Sequence, residues 1–334
     1  MPLLIITALL LSLIAFLGFL SWLILYLCKR RNHGRKVFTN TVVALVILYP
    51  VFLFLVLPVV FSHLVAYASS RPQDRVLSDT PDTFGCQYTP VEFSSRDGLL
   101  LKGWLIKGSP SESPIIFSHG LFRNRQEILR RACKLNQQGY PVLVFDLRSH
   151  GESQRKTISL GYHERQDVLG AGDFVREHLG KERVVVAGVS MGAVASIFAA
   201  SDSADSIEAV IADSPFDTLK ATVGRHTELF LNLPARPFSD MFIWNLEREA
   251  EFQADRLNTM SSFAGLQKMP VLLLYGKSDQ RMTRDVAKDL YEAIPHSHKE
   301  LVFFQGAGHG GAFDSAPEKY VKCIVDFLSA GHHN

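Results

Sequence analysis

The chain has 334 residues, enough for one large domain or two ordinary ones, and its 35 basic and 33 acidic side chains give a formal net charge of +2. So small a charge, without a basic patch in the region that reads as folded, excludes a dedicated nucleic-acid-binding protein. The four cysteines are widely spaced, without a C-x-x-C pair or a metal-ligand spacing, which excludes a disulfide-built scaffold. No metal or organic cofactor is expected.

The first sixty-odd residues are almost purely apolar, unlike the rest of the chain. An uncharged run from Leu3 to Leu27 is longer, at about 1.5 Å per residue, than the roughly 30 Å hydrocarbon core of a bilayer. A second run of similar length extends from about residue 41 to about residue 66 and contains two prolines, which membrane helices tolerate. Residues 1–68 are therefore predicted to form two transmembrane helices. A pair of buried core helices is disfavoured because neither run has a polar face.

The loop between the two runs, residues 29–37, contains five lysine and arginine side chains. A short loop with this much positive charge stays on the cytoplasmic side of a membrane. The hairpin then places the domain that follows about Ser69 on the extracytoplasmic side. Because Ala66-Tyr67-Ala68 resembles a signal-peptidase site, release of a soluble protein after Ala68 is the alternative; the length of the second run favours anchoring.

A polar segment with two prolines, residues 69–84, reads as a linker, and residues 85–330 read as a folded domain. The domain begins with a predicted β-hairpin around the turn Ser95-Arg96-Asp97-Gly98. Six short apolar runs then alternate with helical patterns. Continuous Val, Ile and Leu runs of this kind are typical of buried parallel strands. The pattern predicts an α/β fold with an eight-stranded, mostly parallel sheet flanked by helices. The runs begin at residues 115, 142, 184, 209, 271 and 301.

One stretch, from residue 216 to about residue 265, interrupts this alternation with aromatic and helical fragments. An insertion within an α/β domain usually extends a loop at the ligand end of the sheet. We therefore expect a small helical cap over the site; ordinary packing against the domain is the alternative.

The candidate nucleophile is Ser190, in Gly188-Val189-Ser190-Met191-Gly192. This G-x-S-x-G pentapeptide follows an apolar strand and opens a helical pattern, which is the setting that a nucleophile elbow requires. The serine must occupy a strained turn, and glycine on either side leaves room for the strand and the helix to approach.

A serine hydroxyl needs a base to take its proton, and the base needs an acid to orient it. Behind this elbow the acid and the histidine follow later strands in that order. Asp279 follows the run that begins at residue 271, and His309 follows the run that begins at residue 301. Asp213, which follows the run at residue 209, is the next acid to test if replacing Asp279 has no effect.

The oxyanion of an acyl-transfer intermediate needs two N–H donors. One is expected from Met191, the residue after the nucleophile, and the other from the loop Ser118-His119-Gly120-Leu121-Phe122. Leu121 is the preferred second donor and Phe122 the alternative. His119 is expected to organise this loop and not to react.

The sequence resembles the α/β-hydrolase superfamily over about residues 84–328. It is most similar to membrane-tethered bacterial α/β hydrolases and to the BEM46-like and serine aminopeptidase group, with prolyl-oligopeptidase-type domains nearby. The resemblance implies a Ser-His-Asp triad and hydrolysis through an acyl-enzyme, but it does not fix the substrate. The similar motifs are Ser118-His119-Gly120, Phe145-Asp146-Leu147-Arg148-Ser149-His150-Gly151-Glu152-Ser153, the elbow, Ala212-Asp213-Ser214-Pro215-Phe216, Tyr275-Gly276-Lys277-Ser278-Asp279 and Gly306-Ala307-Gly308-His309.

The leading functional hypothesis is a membrane-anchored serine hydrolase, esterase-like or lipase-like, that cleaves carboxylic esters, lipid esters among them. Two alternatives stay open: a serine peptidase or amidase of the same fold, and a non-catalytic scaffold that binds a partner. The expected partners are a small-molecule or lipid ester and the bilayer, and the sequence does not indicate an oligomeric state.

Overall fold

The computed structural model describes residues 57–71, 77–266 and 268–331, together with Gly18, Phe19, Trp22, Tyr26 and Val43. Most of the two predicted spans and the basic loop 29–37 lie outside these residues. Within the described residues, no helix has both the length and the apolar character needed to cross a bilayer. The described end of the second predicted span is a 13-residue helix, α1 (Leu57–Ser69).

The centre of the domain is an eight-stranded sheet with the strand order β1-β2-β4-β3-β5-β6-β7-β8. Only the β1–β2 and β2–β4 pairs are antiparallel, and every other neighbouring pair is parallel. This confirms the predicted eight-stranded, mostly parallel sheet. The strands are β1 (Tyr88–Ser94), β2 (Leu100–Ile106), β3 (Ile115–Ser118), β4 (Val142–Phe145), β5 (Val184–Val189), β6 (Ile207–Asp213), β7 (Val271–Gly276) and β8 (Lys299–Phe304).

The central parallel strands are buried along their whole length. Every residue of β3, β4, β5 and β7 is buried. A strand covered by helices on both faces has no solvent side, so its sequence is a continuous apolar run without alternation. This is why the runs of these four strands identify them in the sequence.

The strands of this core are connected largely through helices. The helix α4 begins directly after the elbow serine, and its residues from Met191 to Ala200 are all buried. The helices that follow α1 are α2 (Leu129–Asn136), α3 (Glu164–Leu179), α4 (Met191–Asp202), α5 (Leu219–His226), α6 (Ala235–Ala250), α7 (Thr259–Ser262), α8 (Arg284–Ala293), α9 (Ala312–Ser315) and α10 (Pro317–Gly331).

The stretch between β6 and β7 is helical, with α5, α6 and α7 joined by short irregular turns. The chain divides here into two compact units. Among the described residues, 224–242 belong to one unit, and 66–71, 77–223, 243–266 and 268–331 belong to the unit that contains the sheet. In the sheet-containing unit, Ile243, Leu246 and Ala250 of α6 are buried.

The described part of the segment predicted as a linker, residues 69–84, is held along the domain. The carbonyl oxygen of Ser70 accepts a hydrogen bond from the Ile158 N–H at 3.0 Å. Leu77 and Phe84 pack against the hydrophobic core. The described part of this segment is therefore attached to the domain.

A buried arginine fixes the turn after β4. The Arg148 guanidinium is fully buried and donates to Asp167 at 2.6 Å and to both carboxylate oxygens of Asp97 at 2.8 and 2.9 Å. Burial alone would lower the pKa of Arg148, but the two carboxylates raise it. The arginine joins this turn to α3 and to the β1–β2 hairpin turn.

Candidate active site

The candidate nucleophile sits on a strained turn between β5 and α4. Ser190 has φ 54° and ψ −114°, a conformation that costs free energy for a residue with a side chain. A Cβ atom at Gly188 would lie 2.3 Å from Gly192, and one at Gly192 would lie 2.5 Å from the carbonyl oxygen of His119. Only glycine fits at either position, as the elbow motif predicts. The Ser190 N–H is held by the carbonyl oxygen of Asp213 at 2.8 Å.

The structure brings the three predicted side chains into one hydrogen-bonded chain. The Nε2 atom of His309 lies 2.9 Å from the Oγ atom of Ser190, and Nδ1 lies 2.8 Å from Oδ2 of Asp279. When Nδ1 carries the proton, it donates to the carboxylate and leaves Nε2 free to accept the serine proton. This is the geometry of a nucleophile, its base and an orienting acid.

The Asp279 carboxylate is held in its charged form. Its side chain is fully buried, and burial alone would raise its pKa. The hydrogen bond and the charge of His309 outweigh that effect, helped by the N–H groups of Met282 and Arg281, and lower the pKa below the ordinary value. Those two amides donate to Oδ1 at 3.0 and 2.8 Å, so the two carboxylate oxygens have separate roles.

The loops that carry the acid and the base pack directly against each other. A Cβ atom at Gly276, the last residue of β7, would lie 2.3 Å from the carbonyl oxygen of Ala307. The Ser278 N–H donates to the same oxygen at 2.9 Å. Glycine at the end of this strand therefore sets the distance between Asp279 and His309.

The second acid considered from the sequence, Asp213, has a different partner. Its Oδ1 accepts the hydroxyl proton of Ser214 at 2.9 Å, and the residue is fully buried. Burial raises its pKa, although Arg131, Ser214 and the charge of His309 partly oppose the effect. The His309 imidazole is hydrogen-bonded to Asp279 and not to Asp213.

The two predicted oxyanion donors lie on adjoining segments. Met191 is the first residue of α4, so its N–H is one of the amides that a helix leaves unpaired at its start. Leu121 and Phe122 are in the loop after β3. This loop packs closely against the start of α4, because a Cβ atom at Gly192 would meet the carbonyl oxygen of His119. Phe122 has a φ of 59°.

His119 fixes this loop in the neutral form. Its Nε2 accepts a hydrogen bond from the Leu147 N–H at 3.1 Å, so Nδ1 carries the proton and donates to the Gly120 carbonyl oxygen at 2.8 Å. Burial, with the nearby His150, keeps the pKa of His119 well below its usual value. The structural role expected for His119 agrees with these bonds.

Sequence reasoning did not single out Glu127, which also holds the loop. Its Oε2 accepts the Gly120 N–H at 2.6 Å. A carboxylate that bonds a backbone amide seven residues away has no local sequence signature, so no motif could have identified it.

A polar cleft of about 520 Å³ lies beside His309. It is lined by the His309–Gly311 segment and by side chains that are mostly charged or amide-bearing. A polar lining of this kind suits a group that can form hydrogen bonds better than an apolar one. Within the described residues, no group of three or more His, Cys, Asp or Glu side chains could hold a metal ion. The other lining residues are Arg123, Asn124, Gln126, Glu127, Arg131 and Asp314.

Two curated relatives are each 24% identical to this chain. One is the uncharacterized membrane protein YNL320W of Saccharomyces cerevisiae, aligned over 80% of this chain and 89% of its own length. The other is protein bem46 of Schizosaccharomyces pombe, aligned over 82% and 88%. Among solved structures, the esterase Pf2001 of Pyrococcus furiosus is 26% identical, with a TM-score of 0.65 over 78% of this chain and 98% of its own.

The predicted resemblance is confirmed by these relatives. The description of the matching family model is that of the alpha/beta hydrolase family, and the model aligns with residues 115–322, more than half of the chain. With the sheet order and the elbow, this match shows that the chain belongs to the alpha/beta hydrolase family.

Proposed function

We propose that the protein is a membrane-anchored serine hydrolase that cleaves carboxylic esters through an acyl-enzyme. Ser190 is the nucleophile, His309 the base and Asp279 the acid that orients it. The observation that carries the proposal is the chain of short contacts from the Ser190 hydroxyl to the Nε2 of His309, 2.9 Å, and from Nδ1 to the Asp279 carboxylate, 2.8 Å.

The reaction follows from where the protons reside. His309 Nε2 takes the Ser190 proton as Oγ attacks the ester carbonyl, and the N–H groups of Met191 and Leu121 stabilise the oxyanion. The imidazolium then gives that proton to the leaving alcohol, which departs and leaves an acyl-serine. Water repeats the sequence and releases the acid. The low pKa of Asp279 supports a carboxylate that stays ionised throughout and stabilises the imidazolium.

An ester is favoured over an amide by the comparisons. The Pyrococcus relative at 26% identity is described as an esterase, and its chain is covered almost completely. The triad chemistry itself serves both bonds. Turnover of an anilide without turnover of the ester of the same acid would replace the proposal with an amidase or peptidase.

The polar cleft beside His309 favours one orientation of the substrate. Since His309 delivers the proton to the leaving alcohol, that alcohol must lie on the histidine side of Ser190. The cleft on that side has polar walls. We therefore place a hydroxyl-bearing alcohol there and the acyl chain on the opposite side of Ser190. A capping role for the helical stretch of residues 216–265 stays a prediction of the sequence.

Membrane anchoring is supported by the sequence of residues 1–68 and by the yeast relative YNL320W, which is described as a membrane protein. In this arrangement residues 29–37 face the cytoplasm, residues 69–84 connect the anchor to the domain, and residues 85–330 act outside the cytoplasm. Protease digestion of sealed vesicles tests the orientation, because an extracytoplasmic domain is protected in vesicles whose cytoplasmic face is outside and digested in vesicles of the opposite orientation.

The central experiment is fluorophosphonate labelling of membrane and soluble fractions from cells that express wild type, Ser190→Ala or Ser95→Ala. Ser95 is the control, a buried serine in the β1–β2 turn whose hydroxyl donates to the carboxylate of Asp97. Labelling of wild type and Ser95→Ala at full mass in the membrane fraction, lost in Ser190→Ala, is expected. Absence of label on the folded wild type would favour the binding scaffold, and label on a shortened soluble product would show release after Ala68.

A further inference from the structure

Hydrogen bonds hold both sides of the residue that follows the proposed catalytic histidine. The Gly310 carbonyl oxygen accepts a hydrogen bond from Nη2 of Arg131 at 2.7 Å, and the Gly310 N–H donates to Oγ of Ser214 at 3.2 Å. Gly310 has a φ of 64°, and a Cβ atom there would lie 3.1 Å from the side chain of Val189. Both polar atoms of this one residue are thus tied to other parts of the fold.

The hydrogen bond at the Gly310 N–H is connected, through Ser214, to the buried acid Asp213. A serine hydroxyl has one proton, and that of Ser214 goes to Oδ1 of Asp213 at 2.9 Å. The lone pairs of the same hydroxyl are then turned to accept the Gly310 N–H. The backbone carbonyl of Asp213 holds the Ser190 N–H at 2.8 Å. One buried residue is therefore connected to the nucleophile turn directly and to the histidine loop through a single hydroxyl.

The donor to the Gly310 carbonyl oxygen is a buried cation, Arg131. Arg131 is 3% exposed; Nη1 donates to the Glu127 carbonyl oxygen at 2.7 Å, while its guanidinium carbon lies 5.1 Å from the Phe313 ring centre. Burial alone would lower the pKa of Arg131, but its acidic surroundings, Asp213 among them, raise it. A planar fork can donate to two carbonyl groups at once, whereas a lysine ammonium on a flexible stem cannot keep both geometries.

A buried charge needs a compensating charge. Arg131 and Asp213 are both buried, and both are bonded towards Gly310: Arg131 donates to its carbonyl oxygen, and Asp213 reaches its N–H through Ser214. The positive charge of Arg131 partly offsets the rise that burial causes in the pKa of Asp213. Within the described part of the chain, Oδ2 of Asp213 and the Tyr320 hydroxyl are both buried without a hydrogen-bond partner, so Ser214 supplies the described side-chain hydrogen bond of this carboxylate. Charge and hydrogen bonds together therefore fix a short peptide segment, and the last side chain before that segment is the imidazole of His309.

We propose that Arg131 and Ser214, with Asp213 behind Ser214, are positioning residues that hold the Gly310 peptide so that Nε2 of His309 stays within reach of the Ser190 hydroxyl. The proposal rests on the proposed function for its kinetic consequence. It assigns to Asp213 a role distinct from that of Asp279, because Asp213 orients the loop and Asp279 orients the ring.

The test compares Ser214→Ala and Arg131→Lys in the full-length chain with the matched control Ser95→Ala. The Ser95 hydroxyl has the same hydrogen-bond pattern, donating to Asp97 at 2.7 Å and accepting the Leu99 N–H at 2.8 Å, but it lies in the β1–β2 turn. Values of kcat and KM for a p-nitrophenyl ester and the fluorophosphonate labelling rate are measured at least ten degrees below each melting midpoint.

In Ser214→Ala and Arg131→Lys we expect kcat and the labelling rate to fall about tenfold, because displacement of a catalytic group acts on the chemical step. In Ser214→Ala, whose side chain does not line the polar cleft, KM should stay within about twofold. Ser95→Ala should lose thermal stability to a similar degree and keep its kcat. Wild-type kcat in folded Ser214→Ala, or an equal loss of kcat in Ser95→Ala, would overturn the positioning role.

A readout that does not need turnover separates this proposal from the proposed function. The Nδ1 proton of His309, hydrogen-bonded to Asp279, should give a downfield imidazole resonance that is lost in His309→Gln. In Ser214→Ala and Arg131→Lys this resonance should move or broaden, and in Ser95→Ala it should not. If the wild type has neither turnover nor Ser190-dependent labelling, the proposed function fails, while the resonance still decides whether Arg131 and Ser214 order the histidine.

Discussion

Replacing Gly276 by alanine should displace His309, the proposed catalytic base, without changing any member of the proposed triad. A Cβ atom at this position would lie 2.3 Å from the carbonyl oxygen of Ala307 and 2.5 Å from that of Gly308. Real Cβ contacts below 3.0 Å essentially never occur, and both neighbours are backbone atoms that cannot rotate away. The loop that carries His309 must therefore recede by about 0.7 Å, since close-packed interiors do not absorb such an overlap.

The same displacement breaks the contact that the proposed reaction needs. Nε2 of His309 is 2.9 Å from Oγ of Ser190, and a recession of about 0.7 Å lengthens this to about 3.6 Å, beyond hydrogen-bonding distance. We expect kcat to fall about 100-fold, which corresponds to about 2.7 kcal/mol of activation free energy, with KM changed little. Overpacking should also lower the free energy of unfolding by about 1–3 kcal/mol.

The matched control is Gly308→Ala in the same loop. A Cβ atom there meets no heavy atom within 4 Å, and the residue is outside the left-handed region of φ. The assay is p-nitrophenyl ester hydrolysis and fluorophosphonate labelling of both variants, with folded fraction measured by circular dichroism. Wild-type kcat in Gly276→Ala, or a comparable loss in Gly308→Ala, would refute the packing argument.

Three further outcomes follow from the described contacts. The pKa of Asp279 is lowered in the folded protein, so the stability that its charge contributes is present above about pH 4 and is lost as pH falls through the folded-state pKa. The difference in melting midpoint between wild type and Asp279→Asn should therefore be smaller at about pH 3 than at about pH 6. Arg148→Met removes the cation shared by the fully buried Asp167 and by Asp97, which keeps its hydrogen bond from Ser95, and should cost about 3–5 kcal/mol in urea unfolding without changing the labelling rate of the folded protein. Among esters of one acid, glyceryl esters should have a higher kcat/KM than butyl esters; the reverse order would show that the polar cleft does not hold the alcohol.

The fold could be predicted from sequence because burial on both faces leaves a clear pattern. The apolar runs that begin at residues 115, 142, 184, 271 and 301 lie within β3, β4, β5, β7 and β8. The site positions were predictable for a related reason. In a parallel sheet the loops at the carboxyl ends of the strands lie on one edge, so an elbow after β5 and polar residues after β7 and β8 must converge.

The sequence favours Asp279 as the acid and keeps Asp213 as the next one to test, but no local pattern separates the two. Asp213 ends β6 and Asp279 follows β7, neighbouring strands of the sheet, and both come after the elbow and before the histidine. The structure separates them through one hydroxyl, because Ser214 occupies Oδ1 of Asp213 and the imidazole bonds Asp279. Side-chain bonds between segments far apart in the chain, such as that from Arg131 to Gly310, leave no periodic signal. Glu127 and Arg131 therefore read as ordinary residues of the α2 region.

The exposure of the proposed triad changes along its length in the direction that the reaction requires. The Asp279 side chain is fully buried, that of His309 is 14% exposed, and Ser190 is partly exposed. A carboxylate with little water around it attracts the imidazolium more strongly than a solvated one, so burial at this end stabilises the charge that forms in the transition state. At the other end, water must reach the acyl-serine for the second half of the reaction. Hydrogen bonds from Arg131 and Ser214 to the Gly310 backbone are compatible with a fixed ring and with access of water, because they hold the loop behind His309 without covering the reactive edge of the imidazole.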